Sequence, residues 1–394
     1  MWYEREISDT LKRLVTTFPV VVVTGARQVG KTSLIRKLFP DYKIVSLDLP
    51  SNAEMAEKTP EIFLKKYPAP LIIDEVQYAP SLFRYLKHYV DQKRSEYGQY
   101  ILTGSQKFTL MKEVSDSLAG RCAICELETL SVVEIQKGSH KENIESLILR
   151  GGFPELSGRP ELRVEDFFNG YLATYLERDV RSLLQVTELR DFERFLRACA
   201  SRSAQTLNKA DLARDVGISP PTANKWLTVL NASNQVLLLE PWFTNKTKSL
   251  VKSPKIYLAD TGLLCFLLNI KSIDDLISSP MVGAVWETFI FSEIRKRQEG
   301  NWNLWFWRDS DGLEVDFVYN RGGLFDLAEV KWSEHPDRSD ADNLYKVAKL
   351  MGFKNVLSAK IVCRTSAPYP MELNDFTVNV ESILDLKAPD LGIK

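Results

Sequence analysis

Histidine is nearly absent, and no long apolar run exists. With three histidines in 394 residues, a histidine-built metal site has little to draw on. Five cysteines are an odd count for a long chain, which argues against a disulfide framework and suits a reducing cytoplasm, the expected location. Cys122 and Cys125 form a C-x-x-C, but no second pair follows. In place, "RCAICEL" alternates like a buried strand, so small apolar core residues are the expectation rather than metal or redox chemistry. No apolar stretch approaches the roughly 18 residues a membrane-spanning helix needs. The start, "MWYEREISDTLKRL", lacks the basic-then-apolar order of a secretory signal, so no membrane partner is expected. A net charge of −1 excludes a polyelectrolyte binder over the whole chain. What remains is an ordinary globular composition, 44% hydrophobic and 26% charged, long enough for two or three domains.

The clearest motif lies near the front. "PVVVVTGARQVGKTSLIRKLF" reads as a short apolar strand, a loop and an amphipathic helix. Gly25, Ala26, Arg27, Gln28, Val29, Gly30, Lys31 and Thr32 fit G-x-x-x-x-G-K-[ST] without deviation, with Ser33 behind them. Such glycines let backbone N–H groups curl around phosphates, and the helix N-terminus adds its positive dipole end. Lys31 would reach the β- and γ-phosphates of ATP, and the Thr32 hydroxyl would bind Mg2+.

"PLIIDEVQYAP" is the expected partner: an apolar strand, Leu71 to Ile73, ending in Asp74-Glu75. Asp74 would hold Mg2+ and Glu75 would polarise the attacking water. Two adjacent acids at the end of a buried strand are costly without a cation or solvent. "GQYILTGSQ" supplies another apolar strand ending in Thr103, Gly104 and Ser105, where a polar group can sense the γ-phosphate or simply close a turn. Strands expected at Val20–Thr24, Lys43–Asp48, Leu71–Asp74, Tyr100–Thr103 and Cys122–Leu127 alternate with helical patterns. This is the signature of an α/β parallel sheet that binds ligands at its strand C-terminal ends.

"TGARQVGKTSLI", "LIIDEVQ", "YILTGS" and "SLAGR", in that order, resemble a prokaryotic family of AAA-superfamily ATPases whose second half carries a restriction-endonuclease-like domain. The resemblance covers roughly residues 18 to 335. It implies a five-strand ATPase core in which Lys31, Thr32, Asp74 and Glu75 bind and hydrolyse ATP; a homo-oligomer or a protein partner is a separate expectation. It also implies an arginine finger, often from a neighbouring subunit. Arg121 in "SLAGR" is the residue it points to; Arg178 and Arg181 in "YLERDVRSLL" are rivals, and each alone also reads as an ordinary surface arginine.

"GGFPELSGRPE" marks a break. The expected plan is an AAA-type P-loop domain over 1–150, a helical and winged-helix domain over 160–260, and a restriction-endonuclease-like α/β domain over 261–394. In the middle, "LNKADLARDVGISPPTANKWLTVLNASNQVLLLEPW" reads as helix–turn–helix plus wing. Residues 195–260 carry nine Lys/Arg against four acids, a modest footprint for nucleic acid. Thr222, Asn224 and Lys225 are sparse for base reading. The loop "TNKTKSLVKSPK", with Lys246, Lys248, Lys252 and Lys255, suits phosphate contacts to DNA without sequence choice. Docking of a protein is the alternative, because winged helices serve both ends.

The back end holds "LEVDFVYNRGGLFDLAEVKW", two strands joined at a Gly-Gly turn, after the amphipathic helix "GAVWETFIFSEIRKRQ". Residues two apart on a strand face the same way, so Glu329 and Lys331 project together. Their flanks are apolar on both faces, as in a central strand. The arrangement E…D-x12-E-x-K resembles the restriction-endonuclease-like nuclease core. That resemblance implies Asp316 and Glu329 as Mg2+ ligands and catalytic carboxylates, Lys331 as the catalytic lysine, and Glu287 as helper. Glu314, on the strand face of Asp316, is a further candidate. The site is either a working metal-dependent nuclease or the remains of one. Trp302, Trp305 and Trp307 are expected in the core. An ATPase whose ATP state controls a DNA-facing module is the leading expectation. An ATP-dependent switch that docks a partner and cleaves nothing, or a passive DNA clamp, are the rivals.

Overall fold

The structure, a computed structural model, describes residues 2–104, 114, 117–138, 143–176, 180, 189–242, 252–297 and 303–384. The chain divides into two compact units. The first comprises Met1–Leu130, Phe153–Arg159 and Thr228–Gln235; the second comprises Ser131–Gly152, Pro160–Leu227 and Val236–Lys394.

The first unit is built on a sheet of β1 (Val20–Thr24), β2 (Lys43–Ser46), β3 (Leu71–Asp74), β4 (Tyr100–Thr103) and β5 (Cys122–Glu126). Their order is β2-β3-β4-β1-β5, and all neighbours run parallel. Strands β1, β3 and β4 are buried at every position, which is why their sequences are unbroken apolar runs rather than alternations. Helix α1 (Lys31–Leu38) leaves the loop at Gly30, whose φ of 93° lies where only glycine turns easily. Helix α2 (Leu82–Gln92) buries Leu82, Phe83, Leu86 and Val90 in the same core as Ile73 and Leu102. In β5 the alternation is as expected, with Ala123 and Cys125 buried and Ile124 exposed. Cys122 and Cys125, three apart on a strand, point to opposite faces. All five cysteines are free thiols.

In the second unit, β6 (Gln205–Thr206), β7 (Val236–Leu239) and β8 (Lys255–Leu258) form a small antiparallel sheet in the order β6-β8-β7. Two helices precede β7: α3 (Lys209–Val216) and α4 (Pro220–Ala232), the latter passing into the first unit from Thr228. Asn208 caps α3 by accepting from the Ala210 and Asp211 N–H groups at 3.1 and 3.2 Å. Gly217, at φ 82°, ends that helix. Trp226 packs on Phe192 and Phe195.

A larger sheet follows, made of β9 (Leu304–Arg308), β10 (Glu314–Arg321), β11 (Leu324–Val330), β12 (Val356–Cys363), β13 (Tyr369–Leu373) and β14 (Phe376–Ser382), ordered β13-β14-β12-β11-β10-β9. The β10–β11 pair is antiparallel across the expected Gly322-Gly323 turn, where both glycines have positive φ. β11 then pairs parallel with β12, and helix α6 (Asp342–Met351) makes the crossover. Helix α5 (Val282–Lys296) precedes this sheet and is buried along most of its length. Among the described residues, no helix is long and apolar enough to cross a membrane.

Candidate functional site

Strand order explains why three distant segments meet. β4 lies between β3 and β1, with Ile73 paired to Leu102 and Val23 to Thr103. The C-terminal ends of all three strands therefore lie side by side, under the loop that leaves β1. There the Thr32 and Thr103 hydroxyls both donate to Asp74 Oδ1, at 2.9 and 2.5 Å. The Glu75 N–H donates to Thr103 Oγ1 at 3.1 Å. Glu75 takes the left-handed conformation at φ 56°, uncommon for a residue with a side chain, and its carboxylate accepts from the Gln77 amide. Lys31, 7% exposed, donates to the Gly25 and Ala26 carbonyls at 3.0 and 2.8 Å. Gly25 has φ 141°, and a Cβ there would sit 2.1 Å from the Leu127 carbonyl oxygen, so the loop tolerates no side chain at that point. Ala26, Arg27, Gln28, Val29 and Ser33 complete the loop and the first turn of α1. This arrangement offers hydroxyl, carboxylate and ammonium groups around one helix N-terminus, as a polyphosphate requires. Ser105, Arg178 and Arg181 lie outside the described residues.

Arg121 does not join this group. It precedes β5, where Val20 pairs with Cys122, so the five-residue length of β1, about 16 Å at the usual rise, separates it from Gly25. Its guanidinium grips both oxygens of Asp91 at 2.6 and 2.9 Å. Arg121 therefore stands at the opposite end of the sheet from the loop of its own chain, as a finger that serves a neighbouring subunit would.

A second constellation lies in the second unit, and its centre is Lys255. Expected on an exposed DNA-contacting loop, Lys255 is instead the first residue of β8 and 1% exposed. Its Nζ lies 2.8 Å from Glu287 Oε1, 2.6 Å from Glu314 Oε1 and 3.0 Å from Asp316 Oδ1. The DNA role is corrected accordingly, since a buried ammonium enclosed by carboxylates is closed to a phosphate. Tyr257, two residues on, donates to Glu287 Oε1 at 2.6 Å. Asp316 Oδ2 accepts the Val330 N–H at 3.0 Å, and Glu314 Oε2 pairs with Arg308 at 2.7 Å. Glu329 Oε1 lies 3.2 Å from Lys331 Nζ, while its Oε2 is buried without a hydrogen-bond partner. Sequence reasoning had Glu287, Glu314, Asp316, Glu329 and Lys331 in view but missed Lys255 and Tyr257 as members of the group. The signal was present: "SPKIYLAD" places a lysine and a tyrosine on one face of an apolar strand.

Burial pushes the Glu287 carboxyl up to about 7, the Asp316 charge adds to this, and Lys255 and Tyr257 oppose it. Burial, then Asp316, raises Glu329 in the same way, against Lys331. A carboxyl raised in the folded state holds a proton that the unfolded chain has already released. Its contribution to stability is thus complete below the ordinary value of 4.5 and is lost as pH rises to about 7. Glu287→Gln, fixed in the neutral form, is expected to gain stability relative to the parent protein between about pH 5 and about pH 8. Urea denaturation at both values measures this, and a difference that stays constant would contradict it.

Of the other lysines expected to meet DNA, Lys225 and Lys252 are exposed, and Lys246 and Lys248 lie outside the described residues, as does Trp302. Trp307 is buried and Trp305 partly so. Among the described residues, no group of three or more His, Cys, Asp or Glu side chains is arranged to hold a metal ion.

Three family models match the chain: an AAA domain over residues 17–136, and two domains of unknown function, DUF8612 over 141–274 and DUF4143 over 282–383. Uncharacterized proteins of Mycobacterium bovis and Mycobacterium tuberculosis are each 31% identical over 337 residues, covering 85% of this chain and 75% of theirs. One from Methanocaldococcus jannaschii is 24% identical over 334 residues, covering 76% and 71%. Among solved structures, the Walker-type ATPase of Pyrococcus abyssi matches at 17% identity and a TM-score of 0.46, over 68% of this chain and 96% of that one. The RuvB Holliday junction branch migration motor of Thermotoga maritima matches at 17% identity and 0.33, over 60% and 89%.

Proposed function

The chain belongs to the family of the two mycobacterial relatives and, through its AAA domain, is a P-loop AAA-type ATPase; from that premise we propose how its residues work and what they drive. The observation that carries the reading is the convergence of the Thr32 and Thr103 hydroxyls on one oxygen of Asp74, beside Lys31. Lys31 exchanges its loop carbonyls for the β- and γ-phosphates of ATP. The Thr32 hydroxyl, now on Asp74, would be available to the cation that accompanies ATP. The donor set, a hydroxyl and a carboxylate, is the hard-oxygen kind that suits Mg2+, so Thr32 and Asp74 would hold that ion. Bound Mg2+ neutralises charge on the phosphate oxygens. Glu75 orients and deprotonates the attacking water, and Thr103 links its backbone to the Asp74 carboxylate, so that the two acids move together. Arg121 would act on the nucleotide of a neighbouring copy, leaving Asp91 to do so.

A turnover assay with ATP and Mg2+ tests this reading. Glu75→Gln should lower turnover about 100-fold or more while ATP binding persists. Arg121→Ala should lower it as well, and parent turnover should rise with protein concentration. Normal turnover in Glu75→Gln would remove Glu75 as the base.

ATP state then governs the second unit. One reading gives that unit a DNA-facing role through Lys225, Lys252 and the loop holding Lys246 and Lys248, supported by the local basic surplus. DNA binding that weakens with salt, with a slope reduced by about one for each lysine replaced, is its measure. The other reading is a switch that docks a protein partner and carries an inert nuclease-type fold, and the buried Lys255 favours it. A divalent ion at Asp316 and Glu329 does not fit the groups present: both Asp316 oxygens are engaged, one of them by the ammonium. No cutting step follows from that arrangement.

A further inference from the structure

We infer that Lys255 is the resident cation of the carboxylate cage, a tethered ammonium standing where a nuclease of this arrangement would need a divalent metal. Three elements supply the cage: α5 with Glu287, β10 with Glu314 and Asp316, and β8 with the lysine itself. An ammonium has three N–H donors, and Lys255 meets three carboxylates at 2.6 to 3.0 Å. Its hydrogen-bonding capacity is filled by side chains already present, which leaves none for water or a phosphate.

The spacing is that of hydrogen bonds, not coordination. Mg2+ draws oxygens to about 2.0–2.1 Å, and the cage is expanded beyond this by the nitrogen at its centre. Further donors meet the same carboxylates: Tyr257 on Glu287 Oε1, the Val330 N–H on Asp316 Oδ2 and Arg308 on Glu314 Oε2. Because β8 is held between β6 and β7, Lys255 is fixed by the sheet and not by a loop that could swing it away. The second unit is therefore a metal-independent body. Any nucleic acid it meets is held and not cleaved.

Replacing Lys255 should convert the cage to a divalent-cation site. Removal of the ammonium frees oxygens of Glu287, Glu314 and Asp316 next to Glu329 Oε2, which is buried and has no hydrogen-bond partner. These are hard oxygen ligands of the kind that take Mg2+ or Mn2+.

The experiment uses the full chain without nucleotide, so that the loop at Lys31 contributes no ATP-linked metal, and reads free Mn2+ by electron paramagnetic resonance during titration. The parent protein and Asp316→Asn should give the same weak curve. Lys255→Ala should bind Mn2+ at least about tenfold more tightly, and Lys255→Ala with Asp316→Asn should lose that gain. A tight Mn2+ site in the parent protein that disappears in Asp316→Asn would overturn the inference, and so would a folded Lys255→Ala protein that gains nothing. If Lys255→Ala does not fold, the parent and Asp316→Asn pair decides the matter alone. Nicking of plasmid DNA by the parent protein with Mn2+, lost in Asp316→Asn, would also overturn it. ATP turnover is read in parallel and should be the same in all four proteins, because nothing in this inference depends on the ATP site.

Discussion

Lys31→Ala is expected to lower ATP turnover by about 100- to 1,000-fold, the loss usual when one preorganised charge donor is removed from a transition state. The fold should survive. Lys31 reaches back to the Gly25 and Ala26 carbonyls at 3.0 and 2.8 Å, contacts within one loop that tie no distant elements together. Thermal unfolding should therefore shift little, while a fluorescent ATP analogue should bind more weakly. The position of the lysine is fixed by Gly30, whose left-handed φ starts α1 directly under the loop, and not by the side chain itself. Release of phosphate by the purified variant at a rate within about threefold of the parent would mean that another cation neutralises the phosphates.

Much of that site could be read from the sequence. The glycine spacing and the lysine are a local pattern, and the strand–loop–helix context is local too. Asp74 announced itself as an acid at the end of an apolar run. What no local pattern contains is strand order. Thr103 acquires meaning only because β4 inserts between β3 and β1 and delivers its hydroxyl to Asp74. Arg121 depends on strand order in the same way: its sequence neighbourhood resembles a finger motif, and only the sheet shows that it lies at the end away from its own loop. The larger failure was Lys255. Composition grouped it with Lys246, Lys248 and Lys252 as part of a basic loop. Its burial depends on carboxylates 32 and 61 residues further along the chain, and a charge is buried only where such partners exist. Reasoning that found Glu329 suspicious in an apolar strand applied equally to a lysine opening "KIYL". In the hairpin "LEVDFVYNRGGLFDLAEVKW" both strands and the turn were legible, because alternation and a Gly-Gly pair suffice to define them.

Lys255→Met is expected to destabilise the second unit by about 3–5 kcal/mol near neutral pH, the range seen when one partner of a buried ion pair is removed. Methionine matches the length and apolar stem of lysine, so packing against Phe306, which lies under the ammonium, is largely kept and the loss is electrostatic. With the cation gone, Glu287, Glu314 and Asp316 face one another, with Arg308 still on Glu314 and Tyr257 on Glu287. The carboxylates can escape that repulsion by taking up protons. The Glu287 carboxyl, already raised by burial, then rises further, so stability is retained at low pH and lost as pH increases. The deficit of the variant should accordingly be small near pH 5 and largest near pH 8. Lysine itself adds no slope over that range, since the surrounding carboxylates and Tyr257 hold its ammonium well above the usual 10.5 despite burial. Adding Asp316→Asn to Lys255→Met removes one of the repelling charges and should restore part of the loss. Chemical denaturation of the parent, Lys255→Met, Asp316→Asn and the double variant at both pH values gives the coupling directly. A deficit under about 1 kcal/mol at pH 8 would mean that the carboxylates are solvated well enough to do without the lysine.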